Sequence, residues 1–182
     1  MKVAAIVPAY NEEEYIAETI SELQSCNLID LIIVIDDCST DNTYDIASGT
    51  EVTVIRHPEN RGVGGAIKTG FKKALEMNAD VAVIMAGDGQ MAISDLPMFL
   101  EKCEQGYGLV IANRFAENDP RDYGMPAIRY YGAKILSFMT WISTGQRIPD
   151  SQNGYSALTK EALETITVDA LFNRWGIHND II

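Results

Sequence analysis

The chain has 182 residues, of which 47% are hydrophobic and 22% charged, a size and composition typical of a single globular domain with a sizeable core. Its formal net charge of −12 argues against nucleic acid as a partner, because binding to the phosphate backbone requires a basic face. Three scattered cysteines match neither a zinc site nor a disulfide framework, which favours a cytoplasmic location, and no apolar run approaches the roughly 20 residues of a membrane span.

Short apolar runs alternate with amphipathic segments through the first 112 residues. Strands are predicted at residues 2–7, 31–35, 52–55, 81–85 and 109–112. Helices are predicted to begin at Asn11, which would form a capping box with Glu14, at residues 41–42, at Gly62 and at Ser94. Strands that alternate with helices predict a Rossmann-like α/β fold, in which a mostly parallel sheet has helices on both faces.

The alternation weakens after residue 115. Residues 116–126 are polar and rich in turn formers, which predicts a mobile loop, and a second loop at 145–154 precedes a short strand at 155–158. The apolar helix predicted at 127–142 has two interpretations: it packs in the core, or it presents aromatic side chains to lipid, with Arg129 and Lys134 near lipid phosphate. The chain ends inside an apolar segment without a turn signal, so we expect the natural protein to continue.

Acidic side chains follow three of the predicted strands. Glu12 follows the first, Asp36 and Asp37 the second, and Asp88 the fourth. Ligands of open α/β sheets bind beyond the carboxyl ends of the strands, where a carboxylate can accept from a base N–H or a ribose diol, or hold a cation. Helix capping is the alternative, but adjacent acids after a buried strand repel each other and need counter-ions. His57 has no evident partner spacing and is expected to be structural or at the surface.

A glycine-rich segment at residues 60–66 opens the third helix. Its glycines allow either the close approach of a ligand, with Gly62 and Lys68 as nucleotide-binding candidates, or the close packing of the helix on the sheet, and both interpretations stay open. The segment is neither a P-loop nor a complete dinucleotide fingerprint, because Ile67 stands where either motif requires glycine.

Further polar residues follow the later strands. Asp88 and Gln90 could face one cation if the turn after the fourth strand curls around it. Arg114, after the fifth strand, could neutralise a diphosphate. Asp150 and Asp180 could orient an acceptor, although helix capping or a surface position explains each of them as well.

A series of short motifs continues through the chain: Pro8-Ala9-Tyr10-Asn11-Glu12, Asp36-Asp37-Cys38-Ser39-Thr40-Asp41, Asn60-Arg61-Gly62-Val63-Gly64, Gly87-Asp88-Gly89-Gln90, Asn113-Arg114-Phe115 and Asp150-Ser151-Gln152-Asn153-Gly154-Tyr155. In this order they resemble the motifs of family-2 glycosyltransferases of the GT-A fold, most closely the dolichyl-phosphate mannose synthases and polyprenyl-phosphate glycosyltransferases. The resemblance spans nearly the whole chain. It implies one glycosyltransferase domain over residues 1–182, with a nucleotide-binding half at 1–115 and an acceptor-side half at 116–182.

The resemblance also implies a reaction: transfer with inversion at the anomeric carbon, from a UDP- or GDP-linked sugar, with Mg²⁺ or Mn²⁺ as cofactor. It implies a nucleoside pocket lined by Pro8, Ala9, Tyr10, Asn11 and Glu12, with Asp36 beside it, a base contact from Asp37, metal ligands at Asp88 and Gln90, and phosphate contacts from Arg114 and Arg129. The implied acceptor is a polyprenyl or dolichyl phosphate at the cytoplasmic face of a membrane, an anionic nucleophile that hardly needs a general base. A sugar hydroxyl would need one, and Asp150 or Asp180 would then take that role.

One position departs from the family pattern. Ala86 stands where the family usually has the first acid of an Asp-x-Asp motif after the fourth strand, so metal affinity could be reduced or activity lost. A non-catalytic nucleotide-sugar-binding domain is therefore the alternative to an enzyme. A phosphorylation-controlled receiver domain fits poorly, because residues 55–57 lack its phosphate-accepting aspartate after the third strand.

Overall fold

In the computed structural model, which describes residues 1–87, 92–116, 119–173, 177 and 181–182 and only the backbone of Tyr123, six strands form one sheet. The strands are β1 (Val3–Ala9), β2 (Leu31–Asp36), β3 (Thr53–Arg56), β4 (Val81–Ile84), β5 (Leu109–Ile111) and β6 (Ser156–Thr159). Their order across the sheet is β3-β2-β1-β4-β6-β5. Strands β1 to β4 are parallel, whereas β6 pairs antiparallel with both β4 and β5. The predicted mostly parallel sheet is confirmed.

Helices cover both faces of this sheet, as predicted. The α-helices in the described ranges are α1 (Ile16–Ser25), α2 (Thr43–Ser48), α3 (Val63–Glu76), α4 (Leu96–Glu104), α5 (Ala127–Thr144) and α6 (Lys160–Thr165). Helices α1, α2 and α4 pack on one face, and α3 and α6 pack on the other. The core therefore consists of two apolar layers, one on each side of the sheet.

Strand β1 occupies the middle of the molecule. Its side chains alternate between the two layers: Ala5 and Val7 face α1 and α4, while Ala4 and Ile6 face α3. A strand covered on both sides must be apolar throughout, which explains the continuous apolar run in the sequence. The chain runs from β1 outward to β3 and then returns to β4 on the other side of β1. Such a reversal of strand order opens a crevice at the carboxyl ends of the strands.

Two helices begin later than predicted. Helix α1 begins at Ile16 rather than near Asn11, whose φ of 57° is left-handed and lies outside the range of an N-cap residue. Ser94 lies inside the short 3-10 turn Ile93–Asp95, and α4 begins at Leu96. The predicted capping box at Asn11 is wrong because this residue contacts the neighbouring loop of the sheet edge instead.

Helix α3 lies very close to β1 at Gly70. A Cβ atom placed on Gly70 would lie 2.2 Å from Cγ2 of Ile6, a fully buried side chain. A Cβ atom on Gly65 would similarly lie 2.5 Å from Cβ of Arg61. Gly70, outside the glycine-rich segment, therefore allows close packing of α3 on the sheet, whereas Gly65 lies against the chain that enters α3. Both interpretations of the segment at residues 60–66 stay open.

Candidate functional site

The loops after β1 and β2 are joined by hydrogen bonds in both directions. The backbone N–H of Asn11 donates to Oγ of Ser39 over 3.0 Å, and the N–H of Thr40 donates to Oδ1 of Asn11 over 2.8 Å. The N–H of Glu12 donates to Oγ1 of Thr43 over 2.7 Å. Asn11, predicted to line a nucleoside pocket, thus uses its side chain to fix the two loops together. The result is a firm edge at the carboxyl ends of β1 and β2.

Asp41 and Glu13 strengthen the same connection. Oδ1 of Asp41 accepts from the N–H and the hydroxyl of Thr43, and its Oδ2 accepts from the N–H of Glu13. Oε2 of Glu13 accepts from the N–H and the side-chain amide of Asn42. Desolvation acts to raise the pKa of Asp41, but the hydrogen bonds from Thr43 and Glu13 outweigh it and lower this pKa. Asp41 therefore stays ionised and holds the start of α2.

The remaining residues of the predicted nucleoside pocket lie at the end of β1. Ala9 is buried and Pro8 half-buried at the last positions of the strand, and Tyr10 follows with 46% of its surface exposed. The N–H of Asp37 donates to the carbonyl of Ala9 over 2.9 Å, so the ends of β1 and β2 lie side by side. The structure thus brings Pro8, Ala9, Tyr10 and Asp37 to one edge, and an exposed ring there can stack on a base.

Asp36 is fully buried at the last position of β2. Its Oδ1 accepts from the N–H of Ser39 over 3.3 Å, and its Oδ2 lies 3.2 Å from Nε of Arg56, within ion-pair distance but without hydrogen-bond geometry. Nη2 of Arg56 donates to the carbonyl of Ser39, and the guanidinium lies 4.6 Å from the ring centre of Tyr44. Arg56 is the counter-ion that a buried acid at this position requires.

Asp37 is also buried, and the residue that follows β3 supplies a hydrogen-bond partner for it as well. Nδ1 of His57 lies 2.7 Å from Oδ1 of Asp37, and both side chains are 4% exposed. The backbone N–H groups of Arg61 and Gly62 donate to the same carboxylate over 2.9 and 2.7 Å. His57, for which the sequence indicated no partner, is therefore a structural residue of the candidate site and not a surface group. Asp37 joins β2 to the loop that enters α3.

Gly62 and Lys68, predicted to bind nucleotide, contact other parts of the chain. Gly62 has a φ of 80°, which favours glycine, and precedes the first turn of α3. In that turn, the N–H of Gly65 donates to the carbonyl of Asn173 over 2.9 Å. Nζ of Lys68 donates to two carbonyls within 169–171, over 3.0 and 2.9 Å, and to Oδ1 of Asn173 over 2.8 Å. In this structure the start of α3 and Lys68 hold the segment after α6.

Arg114 and Asp150, predicted as separate functional groups, form a pair. The backbone N–H and Nε of Arg114 donate to Oδ2 of Asp150 over 3.0 and 2.8 Å, and Nη2 donates to Oδ1 over 2.8 Å. Asp150 is 1% exposed, and its hydrogen bonds raise the pKa of Arg114. A carboxylate whose two oxygens are held by a guanidinium is a poor general base. Arg129, the other predicted phosphate contact, is exposed in the first turn of α5.

A group of aromatic and basic side chains links Arg114 to α5. Nζ of Lys134 lies 3.8 Å from the ring centre of Phe115, and the guanidinium of Arg121 lies 4.4 Å from that of Tyr130. The rings of Phe115 and Tyr130 meet edge to face at 5.4 Å. The neighbouring Arg121 also holds the pKa of Asp119 down at about 2. The sequence indicated Lys134 and the aromatic residues of this helix, but neither the place of Arg121 beside Tyr130 nor the contact of Lys134 with Phe115.

Helix α5 turns small and hydroxyl side chains toward the protein and large apolar side chains toward solvent, the opposite of an ordinary surface helix. Its buried positions are Ala133, Ser137 and Thr140, and the hydroxyls of the last two lie 3.3 and 3.2 Å from Oγ of Ser151. Its exposed positions include Ile128, Tyr131, Ile135, Leu136, Phe138, Met139, Trp141 and Ile142. The interpretation of this segment as a core-packing helix is therefore wrong. Within the described ranges, no helix combines the length and hydropathy that crossing a membrane requires.

Three predicted site residues, Asp88, Gln90 and Asp180, lie outside the described residues. Among the residues that the structure describes, no group of three or more His, Cys, Asp or Glu side chains could hold a metal ion. The metal ligands therefore remain a prediction from the sequence.

The fold is the first part of the identification. A mostly parallel sheet with helices on both faces is the architecture that this chain shares with solved GT-A glycosyltransferases. The profile of Glycosyl transferase family 2 matches residues 4–167, and the chain belongs to this family. It is a glycosyltransferase by this membership.

Individual relatives extend this comparison. The UDP-N-acetylglucosamine–dolichyl-phosphate N-acetylglucosaminyltransferase of Methanococcus voltae is 36% identical over 89% of this chain and 71% of its own length. The undecaprenyl-phosphate mannosyltransferase of Micrococcus luteus is 31% identical over 100% of this chain and 76% of its own length. Glucosyl-3-phosphoglycerate synthase from Mycobacterium tuberculosis, solved with Mn²⁺, UDP-glucose and phosphoglyceric acid, has a TM-score of 0.74 at 20% identity. The chain is covered to 99% in that comparison and spans 63% of the solved chain, and the likeness describes the fold.

Proposed function

We propose that this domain transfers a sugar from a nucleotide-diphosphate sugar to a polyprenyl or dolichyl phosphate, with inversion at the anomeric carbon. The observation that carries the choice of acceptor is the state of Asp150, the candidate base among the described residues, whose two oxygens are held by Arg114. The other candidate base, Asp180, lies outside those residues. A sugar hydroxyl would need a free base, whereas a lipid phosphate is anionic at neutral pH and attacks without one. Two relatives that are more than 30% identical are named for lipid phosphates, which supports the same acceptor class.

In this proposal the residues of the site act by binding and orientation. Tyr10 and Asp37 contact the nucleoside at the edge formed by β1 and β2, and Lys134 and Arg129 attract the phosphate of the acceptor near the end of β5. Displacement of the nucleoside diphosphate by a phosphate oxygen on the opposite face of the sugar forms one bond and breaks one, which inverts the anomeric carbon. Catalysis then consists mainly of alignment and of stabilising the leaving group.

A divalent cation, Mg²⁺ or Mn²⁺, completes the proposed donor site. Asp88 and Gln90 would hold it, since a carboxylate and an amide oxygen are the hard ligands that both ions prefer. When bound, such an ion neutralises charge on the diphosphate. Ala86 removes one acid from the usual set, so we expect weak affinity for the free ion and tighter binding in the presence of the donor.

The direct test is a transfer assay on the full chain with UDP-N-acetylglucosamine, UDP-glucose or GDP-mannose, each with undecaprenyl or dolichyl phosphate or a free saccharide. We expect one donor to label a lipid phosphate, EDTA to abolish labelling, and Asp88→Ala to lower the rate about 100-fold or more. Donor binding without transfer would favour the non-catalytic alternative. Labelling of the saccharide alone would overturn the proposed acceptor, and full activity of Asp88→Ala would overturn the metal assignment.

We also propose that the exposed apolar face of α5 contacts the membrane that carries the acceptor, on the cytoplasmic side, where unpaired cysteines stay reduced. The helix contains no acidic residue, although the chain carries a net charge of −12, and its two cations lie in its first half. A small polar face toward the protein and a large apolar face toward solvent are what an interfacial helix requires.

Matched methionines test this contact. Met139 on α5 and Met98 on α4 are both 58% exposed. We expect Met139→Glu to lower the affinity for phosphatidylcholine–phosphatidylglycerol vesicles, measured by sedimentation, at least about tenfold. The substitution places a charge on apolar surface that the lipid would cover. Met98→Glu adds the same charge elsewhere and should leave sedimentation unchanged. Equal effects of the two substitutions, or no sedimentation of the unmodified chain, would contradict the membrane contact.

A further inference from the structure

His57 is a buried polar residue to which the proposed reaction assigns no contact with substrate. Its Nδ1 lies 2.7 Å from Oδ1 of Asp37, and its Nε2 lies 2.8 Å from Oγ1 of Thr69 on α3. Its backbone N–H donates to the carbonyl of Asp36 over 2.8 Å. Both ring nitrogens and the backbone of His57 are therefore held between the end of β2 and the first half of α3, and Nδ1 faces Asp37.

The two oxygens of the Asp37 carboxylate accept different numbers of hydrogen bonds. An ionised carboxylate only accepts, so Nδ1 of His57 carries the proton and donates to Oδ1. Oδ1 also accepts from the N–H of Arg61 over 2.9 Å, and Oδ2 accepts from the N–H of Gly62 over 2.7 Å. A carboxylate offers about two acceptor positions on each oxygen. Counting donors from the described part of the chain, Oδ1 is filled and Oδ2 keeps one position.

The two candidate bases place different demands on a carboxylate. The imide of uracil offers one N–H, which a single oxygen can accept. Guanine offers N1–H and its amino group side by side, and binding both takes the two oxygens of one carboxylate. Asp37 is only 3% exposed, so little of it is within reach of a base, and the one open position on Oδ2 suits a single donor.

We infer that His57 is a positioning residue that restricts Asp37 to a single outside donor and thereby makes the site selective for uracil over guanine nucleotides. The inference rests on the proposed function, which leaves the base open. The relative named for UDP-N-acetylglucosamine is consistent with it. His57 contacts neither the sugar nor the phosphates in this scheme and acts only through Asp37.

The experiment is calorimetric titration of the full chain with UDP and with GDP in the presence of Mn²⁺, for the unmodified protein and two variants. We expect the unmodified protein to bind UDP at least about tenfold more tightly, as one unmade hydrogen bond of guanine would cost. His57→Asn keeps an amide N–H near the place of Nδ1 and should preserve the ratio of UDP affinity to GDP affinity. His57→Gln places its amide N–H nearer the place of Nε2, frees a position on Oδ1, and should lower the ratio several-fold.

The possible outcomes separate this inference from the proposed function. Equal or tighter binding of GDP by the unmodified protein overturns the inference and leaves the glycosyltransferase proposal standing. An equal ratio of UDP to GDP affinity in His57→Asn and His57→Gln overturns the role of His57. Urea unfolding of both variants measures separately the loss of stability that a purely structural residue would cause. Binding of neither nucleotide overturns the proposed function itself. If neither variant folds, the ratio of the unmodified protein still decides the predicted selectivity.

Discussion

Replacing Arg114 with alanine is expected to lower the free energy of unfolding by about 3–5 kcal/mol. Asp150 is 1% exposed, and three of its hydrogen bonds come from Arg114, two of them from the guanidinium. Removal of the guanidinium takes away two of the three hydrogen bonds that Arg114 donates to this buried carboxylate, so much of the cost of its burial is no longer offset. Urea unfolding monitored by circular dichroism measures the difference.

Two controls define this prediction. Arg114→Lys supplies the charge without the two-pronged geometry and should recover only part of the loss. Lys72, which pairs with Asp169 on the surface, is 49% exposed, and Lys72→Ala should cost less than about 1 kcal/mol. A similar small cost for Arg114→Ala would show that the pair contributes little, and the assignment of Asp150 as an occupied carboxylate would lose its support.

Gly70→Ala is expected to destabilise the protein by about 3 kcal/mol, a large effect for the addition of one methyl group. The new Cβ would lie 2.2 Å from Cγ2 of Ile6, and both α3 and β1 are held by their neighbours in the middle of the core. Helix or strand must therefore shift before the side chain fits. Thermal and urea unfolding of the purified variant measure this cost.

The helical glycine of α5 provides the matched control. A Cβ atom on Gly132 meets nothing within 4 Å, so Gly132→Ala should raise stability by up to about 1 kcal/mol through helix propensity alone. Ile6→Ala should rescue part of the loss in a double variant with Gly70→Ala, because it removes the atom in conflict. Additive effects of the two substitutions would contradict a direct contact between these residues.

The parts of the fold that depend on local pattern were accessible from the sequence. The alternation of apolar runs and amphipathic segments predicted β1 to β5 and the helices on both faces of the sheet. The predicted strand at 155–158 corresponds to β6, but its antiparallel place between β4 and β5 depends on pairing with distant residues. The orientation of α5 was inaccessible for a similar reason, because an apolar stretch looks the same in a core and on an exposed face.

In the candidate site as well, the residue types followed from local sequence, whereas their partners depend on contacts between distant residues. The paired acids Asp36 and Asp37 and their need for partners followed from the sequence, but the identity of the partners did not. Arg56 and His57 reach them because the parallel register of β2 and β3 aligns Asp36 with Arg56. The sequence likewise marked Arg114 and Asp150 separately, and only the packing of the loop before β6 against the end of β5 brings them together.

The position of β6 has a consequence for the order in which the chain can assemble during synthesis. Strand β5 is joined to the sheet through β6 alone, yet it leaves the ribosome more than forty residues earlier. Until residues 156–159 emerge, β5 cannot pair with the sheet and β4 presents an open edge to other chains. The loop that holds Asp150 is fixed at its far end by the same strand. The edge at β1 and β2 can therefore form first, whereas the Arg114–Asp150 pair is completed only after residues 156–159 have emerged.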